Sequence, residues 1–246
     1  MVLLHGGTAT SKMWGQHIPA FAERFRVIAP DTRGHGNTEN PTGELSYRLL
    51  ADDAAGFIRA LELHRPIVCG YSDGGQIALE LGMRYPDLAG ALVIGAAWFR
   101  FTDSYQDWLT AFGCEAPGRV DLEHVEREMP RMVEMWQAWH APQGADYWRT
   151  LVPQISTMWM TPLNYIEADF QKITVPTLIV VGDRDGVVTL EEAVDMYRLI
   201  QDAELAVAPG SDHMLPWNKP EVFTSTIMDF CLRQSATTET AAADES

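Results

Sequence analysis

Short β-branched runs that alternate with longer helix-like segments constrain this chain more than any other feature. The strand candidates are residues 2–5, 26–29, 66–70, 91–95, 177–182 and 204–208, and the helix candidates are 13–25, 46–63, 74–84, 190–201 and 220–233. Parallel strands need crossovers of this length, and the helices that make them cover the sheet. The pattern predicts an α/β fold with a mostly parallel, doubly wound sheet flanked by helices, binding ligands at the carboxyl ends of its strands. With 246 residues and 46% hydrophobic composition, the chain is long enough for one such core and a modest insertion.

One stretch breaks the rhythm. Residues 97–171 hold no good strand but carry Trp98, Trp108, Trp136, Trp139, Trp148 and Trp159. This stretch reads as a helical cap on a core made of residues 1–96 and 172–233. Its rings either pack a small subdomain or line an apolar pocket, and Trp136 and Trp159 are the candidates for substrate contact. Residues 234–246, rich in Ala, Thr and Glu and without periodicity, predict a disordered tail.

The chemistry concentrates where strands end. Gly70-Tyr71-Ser72-Asp73-Gly74-Gly75 follows the apolar run 66–69 and opens a helical pattern through Ile77, Ala78 and Leu81. A chain turning from strand to helix so sharply strains the central residue, and larger side chains at Gly70 and Gly74 would collide. Gly-X-Ser-X-Gly alone is a weak signal, but on a strand-turn-helix it marks Ser72 as a nucleophile at a helix amino terminus.

A serine hydroxyl also needs a base and a carboxylate that orients the base, here following in the order acid, then histidine. The run 177–181 leads into Gly182-Asp183-Arg184-Asp185-Gly186-Val187-Val188, and 204–208 leads into Pro209-Gly210-Ser211-Asp212-His213. His213 is the expected base. His17, His64, His124 and His140 sit in helical or linker context, and His5 and His35 precede the serine. Either Asp183 or Asp185 could reach the base. Acyl transfer further needs two N–H donors aimed at its oxyanion. The candidates are the backbone of Asp73 and that of Gly7 in His5-Gly6-Gly7-Thr8, with Thr8 as the neighbour that could displace Gly7.

A formal net charge of -16 and a pI near 4.7 repel phosphates and anionic lipids, so neither nucleic acid nor membrane is an expected partner. Cys69, Cys114 and Cys231 are odd in number and widely spaced, which suggests neither a disulfide framework nor a zinc site. The start has no signal-peptide pattern and no apolar run is long enough to span a bilayer, so a cytoplasmic location is expected. Oligomeric state is not legible.

Taken together, His5-Gly6-Gly7, Asp31-Thr32-Arg33-Gly34-His35-Gly36, residues 70–75, 182–188 and 210–213 make the chain resemble the α/β-hydrolase superfamily, in its capped single-domain serine hydrolase branch. The resemblance implies a cap inserted after the sixth strand, here the run 91–95. It implies Asp185 as the acid, through Gly-X-X-Asp-X-X-Val, and a structural role for the turn 31–36. Relatives carry an amino-terminal hairpin before the His-Gly strand, whereas Met1 almost begins that strand, so the hairpin is expected to be missing and the sheet edge bare. The Gly-Tyr-Ser-Asp-Gly-Gly form is similar to that of valacyclovir hydrolase-like and esterase-like members, and it implies that the Asp73 side chain receives a substrate's amino group; Thr8 is a further candidate for substrate contact.

The implied activity is cleavage of a small carboxylic ester or lactone, an aminoacyl ester included, by Ser72, His213 and Asp185 with no metal or organic cofactor. Carbon-carbon bond hydrolases, amidases and perhydrolases or cofactor-free haloperoxidases use the same triad. Dehalogenases and epoxide hydrolases need an aspartate where Ser72 stands. A non-catalytic receptor or scaffold would have lost a triad member, and none is lost.

Overall fold

The structure is a computed structural model that describes residues 1–244. From β1 (Val2–Leu4) the chain runs through α1 (Ile18–Ala22) and α2 (Tyr47–Ala60) to β2 (Ile67–Tyr71), α3 (Asp73–Arg84) and β3 (Ala91–Gly95). An insertion follows, made of α4 (Asp103–Phe112), the hairpin β4 (Cys114–Ala116) and β5 (Arg119–Val120), α5 (Leu122–Glu128), α6 (Pro130–Trp139), α7 (Trp148–Trp159) and α8 (Glu167–Phe170). The chain returns through β6 (Thr177–Gly182), α9 (Leu190–Leu199), β7 (Ala203–Ala208), α10 (Leu215–Asn218) and α11 (Pro220–Asp244).

The main sheet is parallel throughout, in the order β1-β2-β3-β6-β7, with helices flanking it. Its central strands are apolar on both faces; every residue of β3 and β6 is buried. Each buried Val, Leu or Ile side chain contributes about 1.5–3 kcal/mol by leaving water. Because all five strands point the same way, their carboxyl ends open on one edge, and the loops after β1, β2, β6 and β7 meet there. The insertion leaves from that same edge.

Two of the crossover helices show why they start where they do. The Ser46 hydroxyl caps α2 by accepting the Leu49 N–H at 3.2 Å, and the helix buries Leu50, Ala51, Ala54, Ala55 and Ile58 on one side. Thr189 and Glu192 form a reciprocal capping box on α9. The other oxygen of the buried Glu192 accepts the amides of Phe99 and Arg100 at 3.2 and 3.1 Å, which pins the first residues of the cap to the core.

The structure departs from the sequence reading at several points. Residues 26–29 form only an isolated bridge between Ile28 and Val2, because Pro30 has no N–H with which to extend it. The helix expected over 13–25 breaks into a 3-10 turn (Ser11–Trp14) and the short α1, interrupted at Gly15 and restarted at Pro19. The cap is not wholly helical: Pro117-Gly118, with Gly118 at φ 77°, turns the small β4–β5 hairpin. The cap does leave after the run 91–95, as expected; that strand is β3 here because only β1 and β2 precede it in the main sheet. The tail expected to be disordered from Gln234 instead continues α11 to Asp244, in keeping with the helix propensity of its Ala and Glu residues. Glu245 and Ser246 lie outside the described residues.

Candidate active site

Ser72 stands between β2 and α3 with φ 56° and ψ -122°, a left-handed conformation that costs a non-glycine residue on the order of 1–3 kcal/mol. Its neighbours hold it there. The Ser72 N–H donates to the Gly95 carbonyl of the adjacent strand at 2.8 Å. A Cβ on Gly70 would overlap the Gly74 carbonyl, and one on Gly74 would overlap the Leu4 carbonyl, so only glycine lets the turn close this tightly.

The loop after β6 supplies two carboxylates with different tasks. Asp183 accepts the Ser211 N–H at 3.1 Å and so ties this loop to the one after β7. Asp185, whose side chain is fully shielded from solvent, accepts the Val187 and Val188 amides on Oδ1, both at 2.9 Å. His213 Nδ1 lies 2.9 Å from Asp185 Oδ2 and 3.1 Å from Oδ1. His213 Nε2 lies 3.0 Å from Ser72 Oγ. A carboxylate at Nδ1 can only accept, so it keeps the ring hydrogen on Nδ1 and leaves the Nε2 lone pair facing the serine hydroxyl. Of the two acids open in the sequence, the structure brings Asp185 to the histidine.

The loop after β1 presses against this turn. A Cβ on Gly6 would come within 3.2 Å of Ser72 Cβ. His5, buried below, accepts the Thr32 N–H on Nε2 at 3.0 Å and therefore donates from Nδ1 to the Gly6 carbonyl at 2.8 Å. Burial pushes its pKa down to about 4. Gly7, Thr8, Ser72 and Asp73 all line one cavity, and the N–H groups of Gly7 and Asp73 meet no acceptor among the described residues. Amides without an acceptor, on residues that line the same cavity as Ser72, are the kind of donor that a developing negative oxygen needs.

The cavity has a volume of about 610 Å³ and lies between core and cap. Its walls are aromatic and thioether, with Trp98, Tyr105, Trp108, Phe112, Met132 and Trp159 prominent. Arg131, an exposed residue, is the one Lys or Arg that lines it among the described residues. Asp73 is the buried charge in the wall. Its carboxylate accepts from Tyr47 Oη at 2.7 Å and from Trp159 Nε1 at 2.9 and 3.1 Å. Burial raises its pKa to about 6, against the pull of those hydrogen bonds and of His213.

Of the residues read as candidates for substrate contact, Thr8, Asp73 and Trp159 line this cavity. Trp136 does not. It is fully buried inside the cap against Trp148 and Phe112, with ring centroids 5.9 and 6.2 Å away, because α6 turns that face towards α7. Trp98, a wall residue, was not singled out for substrate contact, and Tyr47, which does not line the cavity but donates to Asp73, was missed. Trp98 follows the carboxyl end of β3, a position that could have flagged it, and donates to Tyr47 Oη at 3.3 Å. Nothing local singles out Tyr47, which reaches the site from the first turn of α2. Among the described residues no group of three or more His, Cys, Asp or Glu side chains could hold a metal ion, and no helix is long and apolar enough to cross a membrane.

The chain as a whole is similar to known hydrolases. Among curated proteins, the chain is 26% identical to a pimeloyl-[acyl-carrier protein] methyl ester esterase of Nitrosospira multiformis, covering 94% of this chain and 93% of that protein. It is likewise 26% identical to a 2-hydroxymuconate semialdehyde hydrolase of a Pseudomonas species, over 96% and 88%. Among solved structures, E-2-(acetamidomethylene)succinate hydrolase superposes with a TM-score of 0.73 at 25% identity, over 94% and 90% of the two chains. A model of the alpha/beta hydrolase family matches residues 1–226, and the chain belongs to that family.

Proposed function

We propose that this hydrolase cleaves a small carboxylic ester or lactone through an acyl-enzyme on Ser72. The observation that carries the proposal is the unbroken relay from Asp185 through His213 to Ser72, with contacts of 2.9 and 3.0 Å, opening into an apolar cavity of about 610 Å³. His213 takes the hydroxyl proton as Ser72 Oγ attacks the carbonyl carbon, and the carbonyl oxygen becomes an anion held by the Gly7 and Asp73 amides. Collapse expels the alkoxide, which takes the proton back from His213. A water molecule, deprotonated by the same ring, then attacks the acyl-enzyme and releases the acid and free Ser72. Asp185 keeps the ring in the productive tautomer and stabilises it while it is charged.

The lining narrows the substrate. A large aromatic wall favours an apolar acyl or alcohol group. The Asp73 carboxylate beside the nucleophile repels substrates that bring their own carboxylate there, so neutral esters are favoured over acidic ones. The first experiment is labelling with a fluorophosphonate, followed by peptide mass spectrometry and a panel of esters, lactones and amides. An adduct on Ser72 is expected; no adduct, or one on a different residue, would refute the serine mechanism.

The same carboxylate supports an aminoacyl ester as substrate, its ammonium paired with Asp73. Asp73→Asn is then expected to lower the ratio of kcat/KM for aminoacyl over neutral esters by about tenfold or more, the worth of a charged hydrogen bond. In the wild type that ratio should also fall as pH drops from 7 to 5, because Asp73, with its pKa near 6, becomes neutral while the amine stays charged. A ratio indifferent to both changes would rule out the amine contact. Carbon-carbon bond cleavage is the second reading, favoured by the match to a 2-hydroxymuconate semialdehyde hydrolase, and a dienoic substrate in the same panel tests it.

A further inference from the structure

His140 ends α6 in the cap and is fully buried. Its Nδ1 lies 2.9 Å from the Gly36 amide nitrogen, and its Nε2 lies 2.9 Å from the Thr8 carbonyl oxygen. An amide N–H can only donate and a carbonyl can only accept. One form of the ring satisfies both, the neutral imidazole with its hydrogen on Nε2. Burial, the largest influence on this ring, also favours the neutral form.

The two groups that His140 joins are both in unusual backbone. Thr8 has φ 57°, which a β-branched residue adopts only when its surroundings compel it. Gly36 has φ 52°, and a Cβ there would overlap the Asp31 carboxylate. That carboxylate in turn accepts the amides of Ser11 and Asn37 at 2.8 and 3.0 Å, so the turn at Gly36 is a fixed support. Thr8 is less well fixed. Its hydroxyl donates to the Gly7 carbonyl at 2.6 Å, a bond internal to the loop, while His140 provides the contact that reaches the Thr8 carbonyl from outside it.

We infer that His140 is a positioning residue for the hydrolase reaction: by holding the Thr8 carbonyl it keeps the strained Gly7–Thr8 loop in the shape that presents the Gly7 amide beside Ser72. The cap is then part of the support of the oxyanion site as well as the roof of the substrate cavity. The inference rests on the assignment of Gly7 made under Proposed function.

Three variants test it. His140→Phe keeps a buried ring but removes both hydrogen bonds. His140→Gln presents an acceptor and a donor on either side of one carbon, as the imidazole does. His140→Asn can meet Gly36 but is too short to reach Thr8, and it reads the same loss should His140→Phe not fold. In the Phe and Asn variants kcat is expected to fall about 10- to 100-fold with KM within about threefold of wild type, because a displaced donor weakens only the transition state. His140→Gln should recover to within about threefold of wild type. Deuterium uptake by the peptide over residues 6–9 should quicken in Phe and Asn, with β2 and β3 still protected.

A folded His140→Phe with wild-type kcat, a loss confined to KM, or a Gln variant no better than Phe overturns the inference. Should the wild-type protein neither label nor turn over any ester, the Ser72 reading fails. Deuterium uptake then still decides on His140, because unchanged uptake over residues 6–9 means that it does not hold the loop.

Discussion

If Ser72 is the nucleophile as proposed, Ser72→Ala is expected to lower kcat by roughly 10⁵- to 10⁶-fold while KM stays near its wild-type value, as when a serine hydrolase loses its nucleophile. The size follows from how the parts act together. In the proposed mechanism every proton that His213 and Asp185 move belongs to the making or breaking of the Ser72 ester, so without the hydroxyl their 3.0 and 2.9 Å contacts do little for the substrate. What would remain is the cavity and the two proposed oxyanion amides, which could bind and polarise a carbonyl without forming a bond to it. The fold should survive, since Ser72 makes its structural contact through its backbone N–H to Gly95. Single-turnover and steady-state assays on one ester decide the matter. A variant that keeps more than a few per cent of wild-type kcat would refute covalent catalysis at this residue.

Asp185→Asn should cost roughly 10³- to 10⁴-fold in kcat, with the geometry intact, through the wrong tautomer. The direction can be read from the contacts. Oδ1 accepts the Val187 and Val188 amides, so an asparagine must put its oxygen there and its NH2 where Oδ2 now stands, 2.9 Å from His213 Nδ1. Two donors cannot face each other. The ring responds by moving its hydrogen to Nε2, which can then no longer take the proton of Ser72. Asp183→Asn is the control, because an amide oxygen can still accept the Ser211 N–H, and its effect should stay under about tenfold. Equal losses in the two variants would show that the loop, and not the tautomer, is at stake.

The features legible in the sequence were those whose cause is local. Gly70 and Gly74 report a turn too tight for a Cβ, and the glycines and carboxylates after the runs 177–181 and 204–208 report strand ends. A parallel sheet brings such ends together whatever lies between them. The choice between Asp183 and Asp185 is not local, because it depends on which carboxylate the amides of Val187 and Val188 leave aimed at His213. The face that a cap helix turns to the cavity is equally non-local. Trp136 and Trp159 look alike in sequence, yet one fills the cap and the other donates to Asp73. Residues 26–29 had the composition of a strand, but a proline at position 30 ended their pairing after one bridge. Tyr47 and His140 act across 26 and 132 residues of chain and leave no pattern a single sequence can show.

His213 arrives from the loop after β7, the outermost strand, 141 residues beyond the hydroxyl it touches and is proposed to activate. A chain synthesised from its amino terminus thus builds the strained serine turn, the oxyanion loop and the whole cap before it possesses a base. If Ser72 depends on His213 as proposed, the serine should stay chemically silent until β7 docks on β6, and a half-made or half-refolded molecule should have no hydrolytic power to turn on its surroundings. Regain of hydrolase activity during refolding should then time the closure of that last edge and lag behind any spectroscopic signal from the tryptophans of the cap.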